Sequence, residues 1–418
     1  MRWMFTRALV AGLVSAASCA MADPQAVDDG LAFALRSAVT THPQVLSKLG
    51  ELRALGFQVE ESEAARLPSF SAETRTRTDT STGGSGLARL TQPLWAFGRI
   101  DKTIDVARQR QETGRLELLE VRRKLMEDTA SAYNQVLLQR DRLQVAQLNE
   151  NEHAALLALI SRRAEGGLAS QADIRLANLR LSQARLAVRQ ILGALEKAQQ
   201  DLQTYAQSTV MARQPLDPAW LSLPAKPWLM DAIDDQHATL RVRSQRLQTI
   251  ADELALRKLE LLPTVSARMD RNIPNSGTNA IDSGRVMLVL EGRIDGAGLV
   301  GQARIKAQAD RLEAAQQDVE SARIEARQRL SNLLTERDLQ GDSVEVQTSV
   351  AVSTRDTMDS ILRQYDAGRK SWLDLLNTQR ELADVRQQLE AARGSWREQA
   401  LRIAIMLGRL DNLTGLTP

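Results

Sequence analysis

Two short spans, 201 residues apart, hold the residues best placed to act on a passing ion: Gly167-x-x-Ser170-x-x-Asp173 and Gly368-x-x-Ser371-x-x-Asp374. Each glycine suits the left-handed position that ends a helix, and each serine suits an N-cap. The aspartate three residues on closes a capping box. Such turns are structural first. In a symmetric assembly, however, the aspartates would gather into a ring at one end of a tube, and a ring of carboxylates attracts cations. Little else could do chemistry. The three histidines are His42 and His237, which lie 195 residues apart near helix starts, and His153 within a polar helix. They assemble neither a Ser/His/Asp set nor a metal-ligand cluster. Gly296-Ala297-Gly298-Leu299-Val300-Gly301 satisfies G-x-G-x-x-G between a strand and a helix, but the helix is far too long for a βαβ unit and no parallel strand follows. We read it as a strand-to-helix junction and expect no cofactor and no enzymatic activity.

The spans that must position these residues follow from composition and periodicity. The chain has 418 residues, 43% hydrophobic and 25% charged, yet only 3% aromatic, which suits an elongated helical object better than several globular cores. Basic and acidic residues number 54 and 52, and Arg2 and Arg7 lie in an apparent leader, so the remainder is neutral and has no electrostatic footprint for nucleic acid. That leader, 1–22, runs from those arginines through apolar Ala8 to Ala17 to the small-x-small site Ala20-Met21-Ala22, and we expect cleavage before Asp23. Ala16-Ala17-Ser18 ahead of Cys19 lacks the large aliphatic residue of a lipoprotein box. No later stretch approaches the ~20 apolar residues of a spanning helix, so any membrane crossing requires a closed β-barrel.

An internal repeat organises the rest. Leu67-Pro68-Ser69-Phe70-Ser71-Ala72 recurs as Leu262-Pro263-Thr264-Val265-Ser266-Ala267, 195 residues later, and the landmarks keep their order to the tip motifs. We expect a first repeat at 23–209 with a hairpin 69–94, a long helix 98–166 and a helix 170–208. A linker at 210–229 contains Pro215, Pro218, Pro224 and Pro227. The second repeat, 230–411, has a hairpin 264–294, a long helix 298–366 and a helix 371–409, with a tail at 412–418. In the first strand Phe70, Ala72, Thr74, Thr76 and Thr78 oppose Ser71, Glu73, Arg75 and Arg77. In its counterpart Val265, Ala267 and Met269 oppose Ser266, Arg268 and Asp270. The returning strand is apolar on both faces, from Val286 to Leu290. Each long helix spans about 100 Å at ~1.5 Å per residue and must bury a stripe to be stable. Ile174, Ala177, Leu181, Ala184, Val188, Ile191, Leu195, Ala198, Leu202 and Tyr205 form a heptad seam, as do Leu375, Thr378, Leu382, Val385, Leu389, Ala392 and Trp396.

The order of elements, the duplication, Thr91-Gln92-Pro93-Leu94 before Gly98 and the Gly-x5-Asp tips resemble the TolC-like outer-membrane channel-tunnel family over about residues 30–410. The resemblance implies a mainly α fold with a small β part. Long antiparallel coiled-coil helices form an α-barrel tunnel in the periplasm, and a homotrimer pools four strands per protomer into a twelve-stranded transmembrane β-barrel in outer-membrane lipid. It implies Glu73, Arg75, Arg77, Arg268 and Asp270 on the barrel lumen, and a periplasmic adaptor docking at the tip turns Gly167, Ser170, Gly368 and Ser371. It also implies a periplasmic constriction in which Tyr365 bonds Asp173 and Asp374 lines the pore. Lys370 replaces the family's tip arginine, Ala172 the threonine partner, and Asn377 its second pore aspartate, so one ring of three carboxylates is expected. The stretch Tyr365 to Asn377 resembles the type I secretion branch, whose inner-membrane partner is an ABC transporter. Drug or metal efflux is the alternative client, and the heptads taken alone permit a periplasmic coiled-coil scaffold with no pore.

Overall fold

From residue 94 to 214 the chain contains no proline, so nothing in the backbone interrupts a helix there except a residue that can turn left-handed. A computed structural model of the chain describes residues 30–75, 85–212, 216–274, 284–293 and 295–415. The expected leader lies outside these. Helix α1 (Leu31–Thr41) ends at His42, and Pro43 opens α2 (Pro43–Ala64), in keeping with proline at a first helical turn. Strands β1 (Ser69–Arg75) and β2 (Ser85–Trp95) follow. Phe97 and Gly98 then turn left-handed, at φ 52° and 80°, and launch α3 (Arg99–Glu165). Helix α4 (Gln171–Ala206) returns antiparallel and stops where Gln207 turns left-handed at φ 53°.

The expected linker is more ordered than its prolines suggest. Asp217 caps the single turn α5 (Pro218–Leu221), and α6 (Lys226–Gln236) carries Pro227 in its first turn. Proline starts helices here as well as breaking them. The second half continues with α7 (Ala238–Leu259), β3 (Thr264–Pro274) and β4 (Gly284–Glu291). A 3-10 turn at Asp295–Gly298 has Gly296, Ala297 and Gly298 all at positive φ, and α8 (Leu299–Asp366) and α9 (Trp372–Met406) follow. Gly408, at φ 68°, ends the last long helix, and α10 (Asp411–Thr414) is a final turn.

The four strands form one antiparallel sheet in the order β1-β2-β3-β4, so the two hairpins meet along β2 and β3. The helices form a layer. Helix α3 packs α2 and α4 on one flank and α7 and α9 on the other, while α8 packs α7, α9 and the short α6. Adjacent chain segments therefore do not exhaust the packing: α9 buries Leu375, Leu382, Val385 and Leu389 of the expected seam and, in addition, Leu376, Gln379 and Ala383. It needs two stripes because it has neighbours on two sides. The largest buried cluster joins Leu31 and Leu35 of α1, Met126 and Tyr133 of α3, Leu202 of α4 and Ile405 of α9, midway along the rod. None of the helices described is long and apolar enough to cross a membrane.

Candidate helical tips and two-faced sheet

The two turns at the far end of the helical layer are built alike. Gly167 sits at φ 74° and Gly368 at φ 73°. At the first, Leu168 N donates to Arg163 O at 2.8 Å and Gly167 N to Ala164 O at 3.0 Å; at the second, Arg369 N donates to Gln364 O at 2.8 Å and Gly368 N to Tyr365 O at 3.0 Å. This is the Schellman pattern, in which only a left-handed residue lets two bonds close over the last carbonyls. The next helices begin with full capping boxes. Ser170 Oγ donates to Asp173 Oδ2 at 2.8 Å and Ser371 Oγ to Asp374 Oδ2 at 2.9 Å, while each serine's N–H also donates to that carboxylate. The aspartate N–H groups return bonds to the serine oxygens. The Ser371 hydroxyl and then its backbone N–H hold the Asp374 carboxyl below its usual 3.8, with the Lys370 ammonium adding to them.

Tyr365 occupies the seam between the two tips. It is 7% exposed, with the Arg163 guanidinium 4.5 Å from its ring centroid and the Trp372 ring 5.7 Å away. Arg163 also reaches Asp366 at 3.6 Å. Burial raises the Tyr365 phenol above its usual 10.0, against the opposing pull of Arg163, with a smaller push from Asp173. Tyr365 and Asp173 are thus neighbours, but within one chain the aspartate bonds its own cap and the hydroxyl makes no bond to it. Lys370 and Asn377 are exposed. Two residues not picked out from the sequence complete this end. Trp372 is 6% exposed and sits in a cluster with Leu156, Ile160, Met358, Leu375 and Leu376. Glu152 of α3 accepts from Arg386 at 2.9 Å and from Gln379 at 2.5 Å, tying α9 to the long helix of the other half. A tryptophan at the first helical position was the visible signal for the former; the latter spans more than two hundred residues and leaves no local mark.

At the other end the sheet has two chemically distinct faces. Phe70 lies opposite Leu90, Leu90 opposite Met269, and Met269 opposite Val286, in one row across all four strands. On this face Val286, Leu288 and Leu290 are 75%, 74% and 69% exposed. The neighbouring row, on the opposite face, runs Ser71, Arg89, Asp270 and Arg285. By alternation Glu73 and Arg268 share that face. Arg89 Nε meets Asp270 at 2.9 Å and Arg268 meets Glu291 at 3.3 Å. The structure thus groups Glu73, Arg268 and Asp270 and adds Arg89, whose partner lies on another hairpin. Arg77, and the side chain of Arg75, fall outside the described residues. Strand β4, apolar on both faces in sequence, has Met287 and Val289 half-buried on the charged side. Trp95, beyond a register shift in β2, is exposed on the apolar side and stacks on Phe97 at 4.2 Å. Among the described residues no group of His, Cys, Asp and Glu is placed to hold a metal.

A long helical layer, two Schellman tips and an amphipathic sheet accompany a sequence match to the outer membrane efflux protein family over residues 34–206 and 229–409. The chain belongs to that family. This outer membrane efflux protein also superposes on solved channels. CusC, in a crystallographic study of folding and transmembrane channel formation, gives a TM-score of 0.80 at 18% identity, over 91% of this chain and 92% of that one. The outer membrane protein VceC of Vibrio cholerae gives 0.75 at 12% identity, over 90% and 96%. The MtrE outer membrane channel of Neisseria gonorrhoeae, in its open state, gives 0.75 at 15%, over 90% and 88%. No curated protein is significantly similar in sequence. The protein is accordingly an outer-membrane efflux channel with a periplasmic helical tunnel and a β-barrel part, and its family is one of transport proteins.

Proposed function

We propose that this protein is the exit duct of a tripartite export system, built as a homotrimer. The observation that supports this most directly is the four-stranded sheet with one apolar and one charged face and an edge at each side. Four strands are too few to close a barrel, for which about eight is the smallest common number, and an open edge is not tolerated in lipid. Three copies would supply twelve strands, with Glu73, Arg75, Arg77, Arg89, Arg268 and Asp270 on the lumen and Val286, Leu288 and Leu290 toward outer-membrane lipid. The helical layers would join into the tunnel. Asp173, Tyr365, Lys370, Asp374 and Asn377 would then lie at its periplasmic constriction, and a periplasmic adaptor would dock at the turns of Gly167, Ser170, Gly368 and Ser371. A pore-less scaffold has no use for a two-faced sheet.

For the client we favour type I protein secretion with an ABC transporter, on the strength of the Tyr365 to Asn377 stretch. Drug or metal efflux is the second reading, favoured by the family's description as efflux proteins. Two measurements test these readings. Detergent-solubilised protein is expected to have the mass of three chains and to conduct ions in planar bilayers; a monomeric, non-conducting particle overturns the duct. Deleting the gene is expected to remove a large secreted protein from the cell surface, whereas lowered drug or metal tolerance with secretion intact overturns the type I reading.

A further inference from the structure

His237 stands between α6 and α7, where it is the N-cap of α7 without making a side-chain capping bond. Its sequence equivalent His42 does make one, its Nδ1 accepting from Gln44 N at 3.3 Å. In His237 the Nδ1 atom is buried and has no hydrogen-bond partner. The ring lines a cavity of about 360 Å³ whose charged walls are Glu120, Arg123, Lys124, Glu127 and Asp128 of α3 and Arg329 of α8, while α9 adds only Ile405 and Met406. Most of these charges are already engaged. Glu127 bonds Arg329 at 2.6 Å, and Glu120 accepts from Thr239 at 2.6 Å. Arg123, 6% exposed, pairs with Asp411 at 2.6 Å and also donates to the carbonyl of Gln236, the residue just before His237. One guanidinium thus ties the C-terminal turn and the α6–α7 corner to α3.

We propose that His237 is an acid-sensitive strut at this corner, whose protonation loosens the start of α7 and the tie to the C-terminal turn. Three features oppose an imidazolium there. The buried Nδ1 would carry an N–H donor with no acceptor, which is costly for an atom that water does not reach. Arg123 and Arg329 would face another cation. A positive charge would also sit at a helix N-terminus, against the helix dipole. In agreement, burial chiefly, and then Arg329 and Arg123, hold the ring below its usual 6.5 against the smaller opposing pull of Glu120 and Glu127. The sign follows: the corner is fully stable above 6.5 and loses stability as pH falls below it, because the unfolded chain takes up the proton first.

The test uses the full-length protein in detergent, with hydrogen exchange of the amides at 237–243 and 409–415 measured at pH 7.5 and pH 5 and corrected for intrinsic rates. The expected result is a loss of protection at the lower pH, about tenfold for each unit by which proton affinity is depressed. His237→Gln is expected to abolish that loss, and His42→Gln to leave it intact. An unchanged profile in the wild type, or an equal loss in His237→Gln, overturns the proposal. Should His237→Gln not accumulate, Arg329→Gln decides: with one opposing cation gone the loss must shrink, and an undiminished loss overturns the idea.

Discussion

The two long helices, α3 with 67 residues and α8 with 68, start after the same kind of left-handed turn and end in the same kind of tip, yet α3 buries 20 residues and α8 only 9. The difference is one of position. Helix α3 lies inside the layer with partners on both flanks, and α8 lies at its edge with partners on one. The unpartnered side of α8 keeps Ile324, Leu339, Val346 and Val352 more than half exposed, and at the opposite edge α4 exposes Leu179 and Leu186. Leu339 and Val346 are seven residues apart, as are Leu179 and Leu186, which is the spacing of coiled-coil knobs. Equal helices can therefore be unequal in what they require. One is covered by its own chain, and the other keeps a bare flank, which the proposed trimer would cover.

That contrast can be broken or sharpened. The largest effect is expected from charging the bare flank. Leu339→Glu with Val346→Glu should leave the protomer helical by circular dichroism but abolish the trimer by light scattering; a persisting trimer would remove the flank from the interface. Next, Tyr133→Ala in the covered helix should cost about 3–5 kcal/mol in denaturant unfolding, whereas Val352→Ala on the bare side of α8 should stay within about 0.5 kcal/mol when the dissociated protomer is measured. Smaller again, Ser170→Ala and Ser371→Ala should each cost about 1 kcal/mol by removing a cap. The two losses should match if the tips are equivalent, and a markedly larger loss at Ser371 would mark that tip as the more constrained. The smallest effect is Tyr365→Phe, which deletes a hydroxyl not bonded to Asp173 in a single chain and should leave bilayer conductance unchanged. Tyr365→Leu removes the ring from Arg163 and Trp372 and should raise conductance. A rise with phenylalanine alone would place a bond from that hydroxyl in the closed trimer. Acid acts at the same end. The Asp374 box is fully formed above 3.8 and weakens as pH falls below it, since its carboxyl is held below that value, and Asp374→Asn should remove this response.

Much of this architecture is legible in the sequence where a signal is local. The absence of proline marks α3, and the stretch expected at 98–166 is helical over Arg99–Glu165. Alternation marks β1 and β3, and the spacing of Gly, Ser and Asp marks both tips. Legibility fails where a residue's role depends on a remote partner. The burial of Leu376 and Ala383 requires α3 on the far side of α9, and Arg89 acquires its place only when the second hairpin brings Asp270 alongside it. The corner at His237 has no proline to announce it, unlike its equivalent at Pro43. Conversely, Asp173 and Asp374 read as pore charges from sequence, while in the folded chain each is first an acceptor for its own helix start.

The order β1-β2-β3-β4 leaves the outer rims of β1 and β4 without a strand beside them among the described residues. A newly exported copy is thus caught between two solvents: water disfavours its oily face, and lipid disfavours the bare amides along those rims. Neither compartment offers such a copy a resting place. In the proposed trimeric duct, entry into the bilayer and association with sister chains would then be a single event, and the yield of finished ducts should rise more steeply than linearly with the supply of polypeptide.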